Sequence, residues 1–132
     1  MDFIQWSKSV ELKVPLLDEQ HKRLVGLTNQ LHNLLETNNN IQIKKTLKTI
    51  VDDLEMHFET EEKLMKESKL PLFFSHMLEH ERFHNKLNSL YLEVKSGEKK
   101  LTLDDLKVVK IWFFNHIDFK DKALADHINA YS

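Results

Sequence analysis

Four stretches of the chain carry apolar residues at steps of three and four, the spacing of one face of an α-helix. The first runs from about Asp18 to Thr37, with Leu17, His21, Leu24, Thr28, Leu31 and Leu35 in its stripe. Asp18 is its expected N-cap, Pro15 stands just upstream, and Asn38, Asn39 and Asn40 break the pattern. The second runs from about Ile41 to Lys66, with Ile43, Leu47, Ile50, Leu54, His57, Glu61 and Leu64 on one face, and Pro71 marks its boundary. The third runs from about Leu72 to Ser96 through Phe73, His76, His80, Phe83, Leu87, Leu90 and Val94, and Gly97 is a natural stop. The fourth starts near Thr102, a cap with Asp105 three residues on, and shows Leu106, Val109, Phe113 and His116. A tail from about Lys122 to Ala130 predicts a short further helix, and the first 17 residues read as an extended arm.

No repeat, low-complexity tract or long linker divides the 132 residues, so one domain over 1–132 is expected. Helices of about 20 residues joined by short loops predict an all-α, up-down-up-down four-helix bundle. Gly26 falls mid-helix, where it costs about 1 kcal/mol against Ala, and is read as a close-packing position. Two glycines and two prolines leave little turn chemistry for a many-stranded β fold.

Composition narrows the function. Nineteen basic against 21 acidic side chains give a formal net charge of -2, which argues against a nucleic-acid binder. The absence of cysteine excludes disulfide scaffolds, thiolate metal sites, cysteine nucleophiles and iron–sulfur clusters. No apolar run approaches the roughly 18 residues of a membrane span, and the N-terminus lacks the pattern of a signal peptide. A cytoplasmic protein, monomeric and with no membrane partner, is the expectation.

Eight histidines are a surplus. Five of them (His21, His57, His76, His80 and His116) lie on the apolar stripes, as does Glu61. A single core histidine is ordinarily a neutral ring satisfied by one or two hydrogen bonds. Five, together with a carboxylate, cost several kcal/mol unless something pairs them all, and a metal does that. Topology supports convergence. One end of such a bundle collects the start of helix one, the end of helix two, the start of helix three and the end of helix four. All six residues fall at that end, roughly 5–15 Å in, at 1.5 Å per residue. His57/Glu61 and His76/His80 are i, i+4 pairs, each directed the same way from adjacent turns. Nitrogen and carboxylate ligands without sulfur suit iron, manganese or zinc, and the number of donors suggests two ions.

The pattern His21, His57-x-x-x-Glu61, His76-x-x-x-His80, His116-x-x-x-x-Asp121 resembles that of the hemerythrins, in particular the single-domain bacterial ones. Trp6 and Asp18-Glu19-Gln20-His21-Lys22 are similar to the family's N-terminal signature. His57-Phe58-x-x-Glu61-Glu62-x-x-Met65 and His116-Ile117-x-x-x-Asp121-Lys122 are similar to its second and last motifs. The likeness spans about Trp6 to Asp126 and fills all seven expected ligand positions. Asp121 is awkward on periodicity, because five residues after His116 is about 140° off its face on an ideal helix. Either the helix widens there into a π-type turn, or it ends.

The resemblance implies a pair of irons. His76, His80 and His116 would hold one, and His21 and His57 the other. Glu61 and Asp121 would bridge, together with an oxo or hydroxo group. Two six-coordinate irons offer twelve positions, and these ligands fill all but one. That vacancy is what reversible O2 binding needs, and the resemblance implies O2 bound there as hydroperoxide, for storage, delivery or scavenging rather than as an enzyme's substrate. Leu24, Phe58, Trp112, Phe113 and Ile117 neighbour the ligands and are the candidate wall of an apolar O2 pocket. His84 is expected beside the site or partly exposed, His32 and His127 have no assigned role, and Glu59, Glu62, Lys63, Lys66 and Glu67 read as a solvated helix face. The rival functions are a di-iron oxidase or peroxidase, an O2 or redox sensor, and a zinc-sequestering protein. Ferritin-like oxidative sites use about four Glu and two His, and this pattern is richer in histidine.

Overall fold

A computed structural model describes residues 3–7, 11–71 and 73–131. The described residues form helices and connections and contain no strand. Helix α1 spans Pro15–Leu34, α2 Asn40–Ser68, α3 Phe73–Ser96 and α4 Leu103–His116; a π-helical turn over Ile117–Asp121 leads into α5, Lys122–Tyr131. The four long helices alternate in direction, as the short loops require.

The helix ends follow from local chemistry. Pro15 opens α1 at N1/N2, where its missing N–H costs nothing. Asp18 is therefore inside the first turn and not the N-cap. Its carboxylate instead accepts the Leu12 N–H at 2.8 Å and ties the arm down. The Asn39 side chain caps α2 by accepting the Gln42 N–H at 3.2 Å. At its other end Lys69 takes a left-handed φ of 54°, and the Leu70 N–H reaches the Met65 carbonyl at 3.0 Å. Gly97, with φ 85°, closes α3 as expected. Thr102 and Asp105 form the expected capping box of α4.

The expected stripes face inward. Leu17, Leu24, Leu31, Leu47, Ile50, Leu54, Phe83, Leu87, Leu106 and Phe113 are all buried. In α2 the stripe drifts by one residue, so Met65 is buried in place of half-buried Leu64. The arm also contributes to the core. Ile4 is buried, and Asn29 of α1 grips both its N–H and its carbonyl, at 2.7 and 2.9 Å. Gly26 does not mark close packing: it is exposed, and a Cβ added there would meet nothing within 4 Å. No helix among the described residues is long and apolar enough to cross a membrane.

Candidate metal centre

Six of the seven predicted ligands come from the four long helices, and the seventh depends on a change of helix type. After His116 the chain widens into a π turn, in which the Lys122 N–H reaches back to the Ile117 carbonyl. The wider turn absorbs one extra residue, so Asp121 returns to the His116 face, with its Oδ1 3.0 Å from His116 Nε2. Asp118 is exposed, and Lys120 donates to Ser75 Oγ at 3.1 Å. The mismatch of Asp121 with the helix period is thus resolved by the first of the two alternatives, a widened turn.

All seven residues are at most 2 % exposed and meet at one end of the bundle. They form two groups of donor atoms. Glu61, His76, His80, His116 and Asp121 make one; His21, His57, Glu61 and Asp121 make the other, with the donors of each group within 4.8 Å of one another. Both carboxylates belong to both groups and divide their oxygens between them. Asp121 turns Oδ2 to His21 Nε2 at 3.1 Å and Oδ1 to His76 Nε2 at 3.3 Å. Glu61 turns Oε1 to His57 Nε2 and Oε2 to His76 Nε2 at 3.4 Å.

These distances are not a set of hydrogen bonds. Both oxygens of Glu61 and of Asp121 are buried without a hydrogen-bond partner. His21 and His57 bring their Nε2 atoms to 3.0 Å, and His80 and His116 bring theirs to 3.1 Å. His57 and His80 place Nδ1 against acceptors, Gln20 Oε1 at 2.7 Å and Glu62 Oε2 at 3.1 Å. An imidazole that donates from Nδ1 presents a bare lone pair at Nε2. In the His80/His116 pair both rings have an acceptor at Nδ1, and their Nε2 lone pairs, 3.1 Å apart, repel unless a proton or a metal cation stands between them. Metal bonds of about 2.1 Å at right angles separate neighbouring donors by about 3.0 Å, which is the spacing of the His21/His57, His80/His116 and His116/Asp121 pairs. The residues fit a metal centre, and imidazole with carboxylate suits iron, manganese or zinc.

Electrostatics agree. Burial, with positive His116 and His76 beside it, pushes His80 down to about 2. Burial works against the charged form of His76 too, yet the negative charge of the Asp121 and Glu61 carboxylates beside it outweighs burial and raises that ring to about 9. Asp121 lies well below the usual carboxylate range despite its burial, held there by His116, His21 and His76. The two buried carboxylates thus favour positive charge on His76 and His116.

The chain matches the family described as hemerythrin HHE cation binding domain over residues 12–128. It belongs to the hemerythrin family. A bacteriohemerythrin of Methylococcus capsulatus is 31% identical over 117 residues, covering 89% of both chains. A bacteriohemerythrin of Stenotrophomonas maltophilia is 29% identical over 99% of this chain and 85% of its own length. A myohemerythrin of Theromyzon tessulatum is 31% identical over 90% of this chain and 91% of its own. A solved wild-type hemerythrin superposes with a TM-score of 0.91 at 28% identity, over 96% of this chain and 98% of that one.

Of the five apolar residues named from the sequence, four divide between the two halves of this hemerythrin centre. Phe113 meets the His21 ring edge-on at 5.5 Å, and Leu24 lies one turn beyond His21. Phe58 stacks on His80 at 3.8 Å and half-buried Trp112 on His116 at 4.7 Å, so both cover the three-histidine half. Ile117 is fully buried at the start of the π turn. The arm adds Trp6, whose ring lies 6.4 Å from His21. His84 is only partly buried, with Nε2 4.0 Å from Glu55, and joins neither donor group. His32 stacks on Phe3, and His127 contacts the Ser68 carbonyl.

Three functional neighbours escaped the sequence reading. Gln20, Glu62 and Glu79 stand behind His57, His80 and His116 respectively. Glu62 is therefore not part of a freely solvated face. Burial raises its carboxyl above the ordinary value, with Lys66 opposing. The available signal was position, since each of the three is adjacent in sequence to a ligand.

Proposed function

We propose that the chain holds two iron ions, bridged by Glu61, Asp121 and an oxo or hydroxo group, and binds O2 reversibly for storage, delivery or scavenging. One observation carries this reading. Both carboxylates split their oxygens between a group with three imidazoles and a group with two. Six-coordinate ions sharing one further bridge would be filled by the residues of the three-imidazole side and would keep one position free beside His21 and His57. Two irons, each able to give up and regain an electron, supply the reversible capture of O2. The chain's own residues orient the imidazoles and keep water out. Leu24 and Phe113 are buried on the His21 side and Ile117 at the start of the π turn; apolar surroundings of this kind would solvate separated charge poorly and so would slow escape of superoxide. Five imidazoles against two carboxylates differ from the carboxylate-rich oxidative sites of ferritin-like bundles, which favours binding over turnover.

The test is purification, measurement of iron per chain, anaerobic reduction and admission of oxygen. Two irons per chain and a visible charge-transfer band that fades on degassing are expected. A band that bleaches only as a substrate is consumed would make the protein an enzyme, and colourless protein holding zinc would remove both. His57→Ala should lose the iron of the two-imidazole half while the other stays. Unchanged iron content and unchanged O2 binding would overturn the assignment of His57.

A further inference from the structure

Behind each coordinating ring lies a second atom that faces away from the metal, and here the two halves of the centre differ. His57 Nδ1 meets an uncharged amide, Gln20 Oε1, at 2.7 Å. His80 Nδ1 meets the carboxylate of Glu62 at 3.1 Å, and His116 Nδ1 that of Glu79 at 3.5 Å. His21 Nδ1 is buried and has no hydrogen-bond partner at all. The three-imidazole half therefore has two rings backed by negative charge, and the two-imidazole half has none.

The amide is held in this role. The Thr60 hydroxyl donates its only proton to the Met56 carbonyl at 3.0 Å, so its oxygen is left to accept from Gln20 Nε2 at 3.1 Å. That contact fixes which end of the Gln20 amide faces His57. The oxygen is presented, and the His57 proton is kept on Nδ1 with Nε2 bare toward the metal.

We infer that Gln20, Glu62 and Glu79 are positioning residues that set the two irons at unequal potentials: the carboxylate-backed half favours Fe(III), and the amide-backed half favours Fe(II). The physical cause is donor strength. A carboxylate that accepts an imidazole N–H draws the proton toward itself and makes the far nitrogen a stronger donor, which stabilises the higher oxidation state. An amide oxygen orients the ring equally well but adds no charge. The ion beside the open position would thus be the harder of the two to oxidise. Glu62 is the stronger of the two carboxylates, being closer to its ring and 25 % exposed against 35 % for Glu79.

This inference rests on the di-iron reading, and the experiment separates their failures. Gln20→Glu and Glu62→Gln are near-isosteric, keep a hydrogen-bond acceptor on each ring, and exchange only the charge. Spectroelectrochemical titration with Mössbauer identification of the oxidised site reads each potential. In the wild type the three-imidazole iron should oxidise first. Gln20→Glu should shift the Fe(III)/Fe(II) ratio of the two-imidazole iron about tenfold toward Fe(III), about 59 mV for one electron. Glu62→Gln should shift the other iron in the opposite sense. Glu62→Gln removes a charge where Gln20→Glu adds one, which makes it the safer folder, and it decides alone if Gln20→Glu takes up no iron. Potentials unmoved, or moved in the same sense by both variants, would reduce these residues to ring holders and overturn the inference. Wild-type protein that never holds two irons would overturn the proposed function itself.

Discussion

The two ends of the bundle are made from the same helices with opposite interiors. At one end Leu31, Ile43, Leu47, Val94, Leu101 and Leu106 pack against one another, and every buried side chain among these six is aliphatic. At the other, five imidazoles and two carboxylates are buried just as deeply. The aliphatic end is complete as folded, since burial of apolar surface is favourable in itself and non-directional. The histidine end is complete only with ions present, because unpaired carboxylate oxygens and facing lone pairs cost free energy in a dry interior. One amphipathic pattern thus serves two purposes: stability is concentrated at one end, and chemistry at the other.

Chelation should separate the ends most strongly. Each ion held at a thousand times its dissociation constant contributes about 4 kcal/mol, so removing two should lower the melting temperature far more than any single substitution. Hydrogen exchange should accelerate around His57–Met65 and from Phe113 through α5, while amides near Leu47 and Leu87 keep their protection. Uniform loss of protection would show that the ends unfold as one unit.

Leu47→Ala addresses the other end. The side chain is 1 % exposed, and its truncation should cost about 2–5 kcal/mol by urea denaturation. The cost should be the same with and without metal, and iron per chain should not change. Iron loss in this variant would mean that the aliphatic end holds the site's geometry and is not merely its support.

Much of this contrast is visible in the sequence. His21, His57, His76, His80 and His116 stand where a helix of this pattern puts leucines, and topology alone carries them to one level. Even the π turn is foreshadowed, because Asp121 falls off the His116 face of an ideal helix. What is not visible depends on side-chain rotation across helices. Glu62 looks like its charged neighbours until the His80 ring, 18 residues away, turns Nδ1 toward it. Gln20 meets His57 across 37 residues in the same way. Asp18 looks like an N-cap because a carboxylate at a helix start usually is one, yet Pro15 begins the helix a turn earlier. The division of the apolar residues, with Phe58 and Trp112 over one half and Phe113 beside the other, likewise requires ring positions that no periodicity contains.

Gly26 offers the smallest and cleanest measure of the border between the ends. It lies in α1 between His21 and Leu31, on the exposed side, and a methyl group there meets nothing. Ala should therefore remove the entropic cost of a mid-helix glycine without strain and stabilise the protein by up to about 1 kcal/mol. Because the added Cβ touches neither interior, the gain should appear equally in the iron-loaded and the chelated protein. A gain confined to the loaded form would mean that α1 frays at its histidine end once the ions leave, so that the helix itself depends on the metal. A loss of stability in both forms would show that the chain needs the backbone freedom of glycine at this point, and the plain propensity argument would fall.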